Sequence, residues 1–107
     1  MRITLVSTNA GKELSQIVLD RLPAMIGRSD EADVRLEDRS VSHYHCKIDN
    51  LGGVVVVRDL GSRLGTLVNG DDVTERILHS GDLLTLGRTQ FRAHYEPAAG
   101  RWARKGF

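Results

Sequence analysis

Apolar and polar residues alternate with a period of two along most of the chain, as in strands that bury one face. Near the start, Ile3 and Leu5 alternate with polar neighbours, and near the end Phe91 and Ala93 do the same. The run Val54-Val55-Val56-Val57 is the most strand-prone segment. No window shows the capped, 3.6-residue period of an amphipathic helix. The pattern therefore predicts an all-β chain.

Turn residues separate the predicted strands at short intervals. In one segment, Tyr44, Cys46 and Ile48 alternate with polar residues and are expected on one strand face. The Asn69-Gly70 pair predicts a type I′ hairpin turn, because both residues readily take positive φ. Many short strands with frequent turns predict one β-sandwich of two mainly antiparallel sheets, covering residues 1–96. The predicted strand segments are 3–5, 16–19, 24–27, 33–36, 44–49, 54–57, 83–86 and 90–95, and 66–73 is predicted to be a compact hairpin around the Asn69-Gly70 turn.

Composition and charge narrow the possible functions. The 107 residues suit one domain, and 15 Lys and Arg against 14 Asp and Glu leave a net charge of +1. Because the two signs alternate without a basic stripe, a nucleic-acid partner is not predicted. No apolar run is long enough for a signal peptide or a membrane span, so we expect a cytoplasmic location and no membrane partner. Cys46 is the single cysteine, so an internal disulfide is excluded. It is predicted to be a small core residue.

The last eleven residues differ in composition from the rest. Segment 97–107 carries three basic residues, no acid, and the aromatic residues Trp102 and Phe107. It is predicted to be a basic C-terminal tail or linker. The alternative is a short segment that docks on the sandwich or on a partner through Trp102.

Three predicted loop segments contain the residues that could bind a ligand. Arg28 directly follows Ile26-Gly27, where the missing Cβ lets a ligand approach the backbone closely. The second segment begins at Ser42, and the third is 62–70. If these loops meet at one rim of the sandwich, they gather a guanidinium, a hydroxyl and several backbone amides. This set of donors suits a bound phosphate.

The same motifs resemble the forkhead-associated (FHA) domain, a β-sandwich module that binds phosphothreonine. The resemblance implies a signalling module for phosphothreonine-containing partners in a Ser/Thr protein kinase pathway. It covers about residues 24–91. The motifs are Ile26-Gly27-Arg28, Asp33-Val34-Arg35-Leu36, Val41-Ser42-His43-Tyr44-His45, Asp59-Leu60-Gly61-Ser62, Gly65-Thr66-Leu67-Val68-Asn69-Gly70 and Leu78 with Gly81-Asp82-Leu83-Leu84-Thr85-Leu86-Gly87.

The resemblance also implies roles for individual residues. Arg28 corresponds to the arginine that grips the phosphate, and Ser42 to the serine that holds a phosphate oxygen. His45 corresponds to an architectural histidine that hydrogen-bonds loop backbone. The implied supports of the binding loops are Gly27, His45, Gly65, Thr66, Asn69 and Gly70.

Two positions depart from the family pattern. His43 stands where the family usually has Arg, Lys or Asn, and Leu64 replaces an Asn that grips the peptide backbone. Leucine offers no side-chain donor or acceptor, and Arg63 is a neighbouring candidate for a different polar contact. The predicted phosphopeptide-binding residues are Arg28, Ser42, His43, Arg63 and Leu64. The alternative function is therefore an FHA-like interaction or structural domain that has lost phosphate dependence.

The histidines also suggest two possible enzymatic sites, a zinc site and a Ser-His pair. His43 and His45 lack a third zinc ligand at a suitable spacing. A pair formed by Ser42 and His45 lacks the Gly-x-Ser-x-Gly nucleophile turn. We therefore predict no enzymatic activity, no metal and no cofactor.

Overall fold

The computed structural model describes residues 1–8 and 16–96, which form eleven strands and no helix. None of the described residues therefore belongs to a helix that could cross a membrane. The strands are β1 (Ile3–Ser7), β2 (Gln16–Leu19), β3 (Ala24–Gly27), β4 (Val34–Arg35), β5 (Cys46–Leu51), β6 (Val54–Asp59), β7 (Thr66–Val68), β8 (Asp71–Val73), β9 (Glu75–Ile77), β10 (Leu83–Leu86) and β11 (Thr89–Tyr95).

The strands form two sheets, so the predicted all-β sandwich is confirmed. One sheet has the order β2-β1-β11-β10-β7-β8 and the other β4-β3-β5-β6-β9. The pairing of β3 with β4 is parallel, and the other strand pairs recorded for the described residues are antiparallel. β1 lies beside β11, where Ile3 pairs with Tyr95. The first and last strands therefore hold each other in the middle of one sheet.

The core lies between the sheets and follows the period of two. Cys46 and Ile48 in β5 face inward beside Val55 and Val57 of β6. Cys46 is fully buried, as expected of a small core residue. Its burial, with a further contribution from the nearby charge of Asp59, raises the pKa of the thiol well above the usual value. A reactive thiolate is therefore suppressed in the folded chain.

The predicted face of the strand around Tyr44 was wrong. β5 begins at Cys46, and Tyr44 lies in the preceding loop with 46% of its surface exposed. His45 is fully buried instead. Residues 42–45 are loop rather than strand, so the alternation that holds from Cys46 onward does not extend back to them.

Hairpin geometry matches the predicted turn between β7 and β8. Asn69 has φ 51° and Gly70 has φ 87°, the positive values that a type I′ turn requires. β1 and β2 pair antiparallel, from Ile3 with Leu19 to Val6 with Gln16. The predicted turn at 9–11 and the tail 97–107 lie outside the described residues.

Candidate functional site

Loops 28–33, 36–45 and 60–65 contact one another beyond the ends of β3, β5 and β6, and we call them the loop rim. Backbone hydrogen bonds join the first two loops. The amide of Arg28 donates to the carbonyl of Ser42 at 2.9 Å, and that of Ser29 to the carbonyl of His43 at 3.1 Å. These bonds lie beyond the end of the β3–β5 pairing and hold the two loops side by side.

Gly27 is the point of closest approach between these loops. A Cβ at this position would lie 2.0 Å from the carbonyl oxygen of His43 and 3.0 Å from that of Ser42. No side chain fits in this space, because real Cβ atoms do not approach backbone so closely. Glycine at this position therefore allows the two loops to meet.

His45 joins loops 36–45 and 60–65 through its buried ring. The amide of Ser42 donates to Nδ1 at 3.0 Å, and Nε2 lies 2.8 Å from the carbonyl oxygen of Gly65. Because Nδ1 accepts a hydrogen bond, Nε2 carries the proton and donates to Gly65. The backbone of His45 adds bonds to Ile26 and Leu60. The ring therefore sets the spacing of the rim and has no exposed surface for a ligand.

Ser42 links the second loop to the third. Its Oγ accepts a hydrogen bond from the amide of Arg63 at 3.0 Å. The hydroxyl proton of Ser42 can then point away from this amide, because a hydroxyl is both a donor and an acceptor. Ser42 thus presents one donor to the space between the loops.

A small cavity of about 160 Å³ lies between the loops. It brings together four of the predicted binding residues, Arg28, Ser42, His43 and Arg63. Leu64, the fifth, is 46% exposed on the neighbouring loop and does not line the cavity. The full lining is Arg28, Arg39, Ser40, Val41, Ser42, His43 and Arg63.

The cavity carries positive charge without a balancing acid. Three arginines and no Asp or Glu line it. Arg28 is half-buried, and its Nε donates to the carbonyl of Val41 at 2.8 Å. This bond orients the guanidinium, and its two terminal nitrogens make no hydrogen bond to the described residues. The cavity is therefore shaped and charged for a small anion.

Three of the cavity residues were not predicted from the sequence, Arg39, Ser40 and Val41, and Arg39 is the charged one among them. It lies in the polar stretch Asp38-Arg39-Ser40, which has the composition of an ordinary loop. Nothing in the sequence distinguishes Arg39 from other surface arginines, because its position beside Arg28 depends on how loop 36–45 folds back.

A second, more open groove of about 640 Å³ adjoins the cavity and shares Arg28, Arg39 and His43 with it. Its outer part contains ion-paired Arg35, which lies 3.2 Å from Asp30 and 3.7 Å from Glu37. The groove lining is Arg28, Ser29, Asp30, Glu31, Arg35, Glu37, Arg39, His43 and Tyr44. Unlike the cavity, this groove carries both signs of charge.

Asp59 shapes the third loop from the end of β6. Its carboxylate accepts hydrogen bonds from the Ser62 hydroxyl, from the Thr66 hydroxyl at 2.7 Å, and from the amides of Gly61 and Ser62. Partial burial by itself would raise the pKa of Asp59, but these hydrogen bonds outweigh it and hold the pKa below its usual value. Thr66 is fully buried and is the first residue of β7, so its hydrogen bond to Asp59 ties the loop to that strand.

The Asn69-Gly70 turn supports the hairpin rather than the cavity. The side-chain amide of Asn69 donates to Asp82 at 3.0 Å, and its oxygen accepts from the amide of Leu83 at 3.0 Å. Neither Asn69 nor Gly70 lines the cavity. Gly65 has φ 92° and offers its carbonyl to His45, so it contributes to the rim itself.

The lowered pKa of Asp59 predicts a contribution to stability that depends on pH. Since the folded pKa lies below the unfolded value of about 4, this contribution is present above about pH 4 and is lost as pH falls through the folded pKa. We expect Asp59→Asn to destabilise the protein at about pH 6, and we expect this difference to shrink at about pH 2 as the wild-type carboxylate becomes protonated.

Urea unfolding at both pH values measures this difference. Asp20→Asn is the control, because Asp20 is an exposed carboxylate paired with Arg2. A stability difference between wild type and Asp59→Asn that stays constant with pH would contradict the prediction.

Comparison with known proteins places this arrangement in a family. The FHA domain model matches residues 24–87, which is more than half of the chain. The oxoglutarate dehydrogenase inhibitor of Corynebacterium diphtheriae is 36% identical over 80 residues, covering 75% of this chain and 54% of that protein. The glycogen accumulation regulator GarA of Mycolicibacterium smegmatis is also 36% identical over 80 residues, covering 75% of this chain and 49% of that protein. The chain thus spans about half the length of these curated relatives.

A solved structure shows the same fold. It comes from a structural and functional analysis of phosphothreonine-dependent FHA domain interactions, and it is 33% identical with a TM-score of 0.77. The match covers 91% of this chain and 99% of that one. The two sheets, the loop rim and the family match lead to one conclusion: the chain belongs to the FHA domain family.

Proposed function

We propose that this chain is a non-enzymatic module that binds phosphothreonine in proteins phosphorylated by a Ser/Thr kinase. One observation carries the proposal: a cavity large enough for a phosphate group is lined by three arginines and Ser42, and no acid lines it. Each N–H···O bond from a guanidinium to a phosphate oxygen is charge-assisted and stronger than a neutral one. The site acts by binding alone, without a chemical reaction.

The named functions of the relatives support a regulatory role. The matched proteins are an inhibitor and a regulator, and the similar structure comes from a study of phosphothreonine-dependent interactions. In the proposed complex, Arg28 holds the phosphate with its terminal nitrogens. Ser42 and the backbone amides of the rim donate hydrogen bonds to the remaining phosphate oxygens. His43 and Arg63 border the phosphate. Leu64 meets the peptide with an apolar side chain instead of an amide.

A second candidate function is an interaction domain that no longer depends on phosphate. The exposed Leu64 favours it, because a peptide can contact an apolar side chain without being phosphorylated. A peptide library in which every phosphothreonine peptide has an unphosphorylated twin separates the two functions. Equal binding of the twins would favour this second function over the first.

Arg28→Ala is expected to lower the affinity for phosphothreonine peptides at least tenfold. A charge-assisted hydrogen bond contributes about 1.5–3 kcal/mol, and tenfold corresponds to about 1.4 kcal/mol. The variant also loses the bond from Nε to the Val41 carbonyl, so its free energy of unfolding should fall by about 1 kcal/mol. Isothermal titration of folded protein measures the affinity.

Arg21→Ala is the matched control. Arg21 is exposed and precedes β3, whose other end leads into Arg28. Its removal changes net charge equally without touching the cavity. If Arg28→Ala and Arg21→Ala bind phosphopeptide alike, the proposed site is wrong.

A further inference from the structure

The backbone on both sides of Arg39 is anchored to the other sheet. The carboxylate of Asp38 accepts from the amide and hydroxyl of Ser40 at 2.9 and 2.7 Å, and from the hydroxyl of Thr89. The Ser40 hydroxyl oxygen in turn accepts from the amide of Arg88 at 2.9 Å. Arg39 therefore extends from a short, rigid stretch rather than from a loose loop.

Gly87 brings this stretch close to the turn between β10 and β11. A Cβ on Gly87 would lie 2.2 Å from the carbonyl oxygen of Ser40. The two segments thus pack backbone against backbone, which leaves loop 36–45 little freedom to move. The position of Arg39 beside the cavity is consequently built into the fold.

The backbone of Arg39 is anchored, but its side chain is not. It is exposed, and it makes no ion pair with a carboxylate in residues 1–8 and 16–96. It lines the small cavity with Arg28 and Arg63, so three like charges from three loops face one space. Like charges this close repel each other, and a dianion between them removes the repulsion.

We propose that Arg39 is a second phosphate-binding arginine, which completes the grip of Arg28 on the phosphothreonine dianion. This inference rests on the proposed function and extends it to a residue outside the recognised motifs. Arg28 is half-buried and oriented by Val41, so it forms the inner wall. Arg39 is exposed and free to turn, so it contacts the phosphate from the solvent side.

The open groove offers Arg39 a different partner, an acidic side chain next to the phosphothreonine. Arg39 borders this groove as well as the cavity. However, Asp30, Glu31 and Glu37 also line the groove and would repel an acidic peptide residue there. The small cavity has no such acid. The charges therefore favour phosphate as the partner of Arg39.

The test uses a short peptide with phosphothreonine at its centre and only alanine and glutamine around it. With its ends acetylated and amidated, this peptide has no other acidic group, so an ion pair from Arg39 must go to the phosphate. We expect Arg39→Gln to weaken binding about five- to tenfold in isothermal titration, which is less than a buried charge-assisted bond contributes because solvent screens the exposed Arg39. Arg39→Lys keeps the charge without the fork and should recover part of the affinity.

Arg88→Gln is the matched control. Arg88 is exposed on the adjoining turn, and its side chain does not line the cavity. It should bind within about twofold of wild type, because only long-range charge is lost. Arg39→Gln equal to Arg88→Gln on this peptide would overturn the inference, and so would a loss seen only when acidic residues flank the phosphothreonine.

The result also separates this inference from the proposed function. Wild type that binds no phosphothreonine peptide better than its unphosphorylated twin would count against the proposed function. Wild type that does discriminate, with Arg28→Ala impaired and Arg39→Gln intact, would count against Arg39 alone.

Discussion

His45→Ala is expected to lower the free energy of unfolding by about 3–5 kcal/mol and to abolish phosphopeptide binding. The substitution removes both partners of the ring, leaving the amide of Ser42 and the carbonyl of Gly65 unpaired. Each buried polar group left unpaired costs about 1–3 kcal/mol. The cavity left by a fully buried ring adds to this loss. Loops 36–45 and 60–65 would then separate, and Ser42 would move away from Arg28.

Urea denaturation and isothermal titration check the two parts of this prediction. His94→Ala is the control, because His94 is an exposed histidine in β11 and lies outside the rim. It should change neither stability nor affinity appreciably. A His45→Ala variant within about 1 kcal/mol of His94→Ala would show that the ring does not hold the loops together.

Gly27→Ala is expected to cost about 3 kcal/mol or more and to weaken phosphopeptide binding strongly. The added Cβ would overlap the carbonyl oxygen of His43, and neither backbone segment can move without breaking the bond between Arg28 and Ser42. Overpacking of this kind usually costs about 1–3 kcal/mol, and here the opposing atoms are backbone, which yields less than a flexible side chain. The displaced Arg28 would no longer meet the phosphate.

Gly53→Ala is the control, because it introduces backbone strain without displacing the binding loops. Gly53 has φ 92° and nothing within 4 Å of an added Cβ, and it lies in the turn between β5 and β6, away from the rim. Its substitution should cost about 1–2 kcal/mol of backbone strain and leave affinity unchanged. Denaturation and titration of both variants make the comparison. Gly27→Ala that binds as well as Gly53→Ala would show that the loops can meet without glycine at position 27.

Much of the fold could be predicted because strands with one buried face repeat every two residues. The prediction reproduced β2 and β3 at the positions seen in the structure, and the Asn69-Gly70 turn has the expected positive φ values. β9 escaped prediction because all three of its residues are exposed. A strand without a buried face has no alternation to detect.

The candidate site was only partly predictable. Arg28 and Ser42 could be singled out because each stands beside a motif with a specific backbone requirement. Arg39 could not, because an arginine in a polar loop is ordinary and only the anchors of Asp38 and Ser40 bring it to the cavity. The family resemblance implied a structural role for His45, but local alternation did not show its inward position, since the alternation of β5 begins one residue later.

By itself, the sequence determined most of the strands, the Asn69-Gly70 turn and the residue types available at the rim, because these depend on local periodicity and backbone preference. Only the tertiary structure decided which strands are neighbours, as in the pairing of β1 with β11, and which loops meet. It also decided that Arg28, Arg39 and Arg63 share one cavity with no acid. These outcomes depend on contacts between residues far apart in the chain, and short-range patterns contain no information about such contacts.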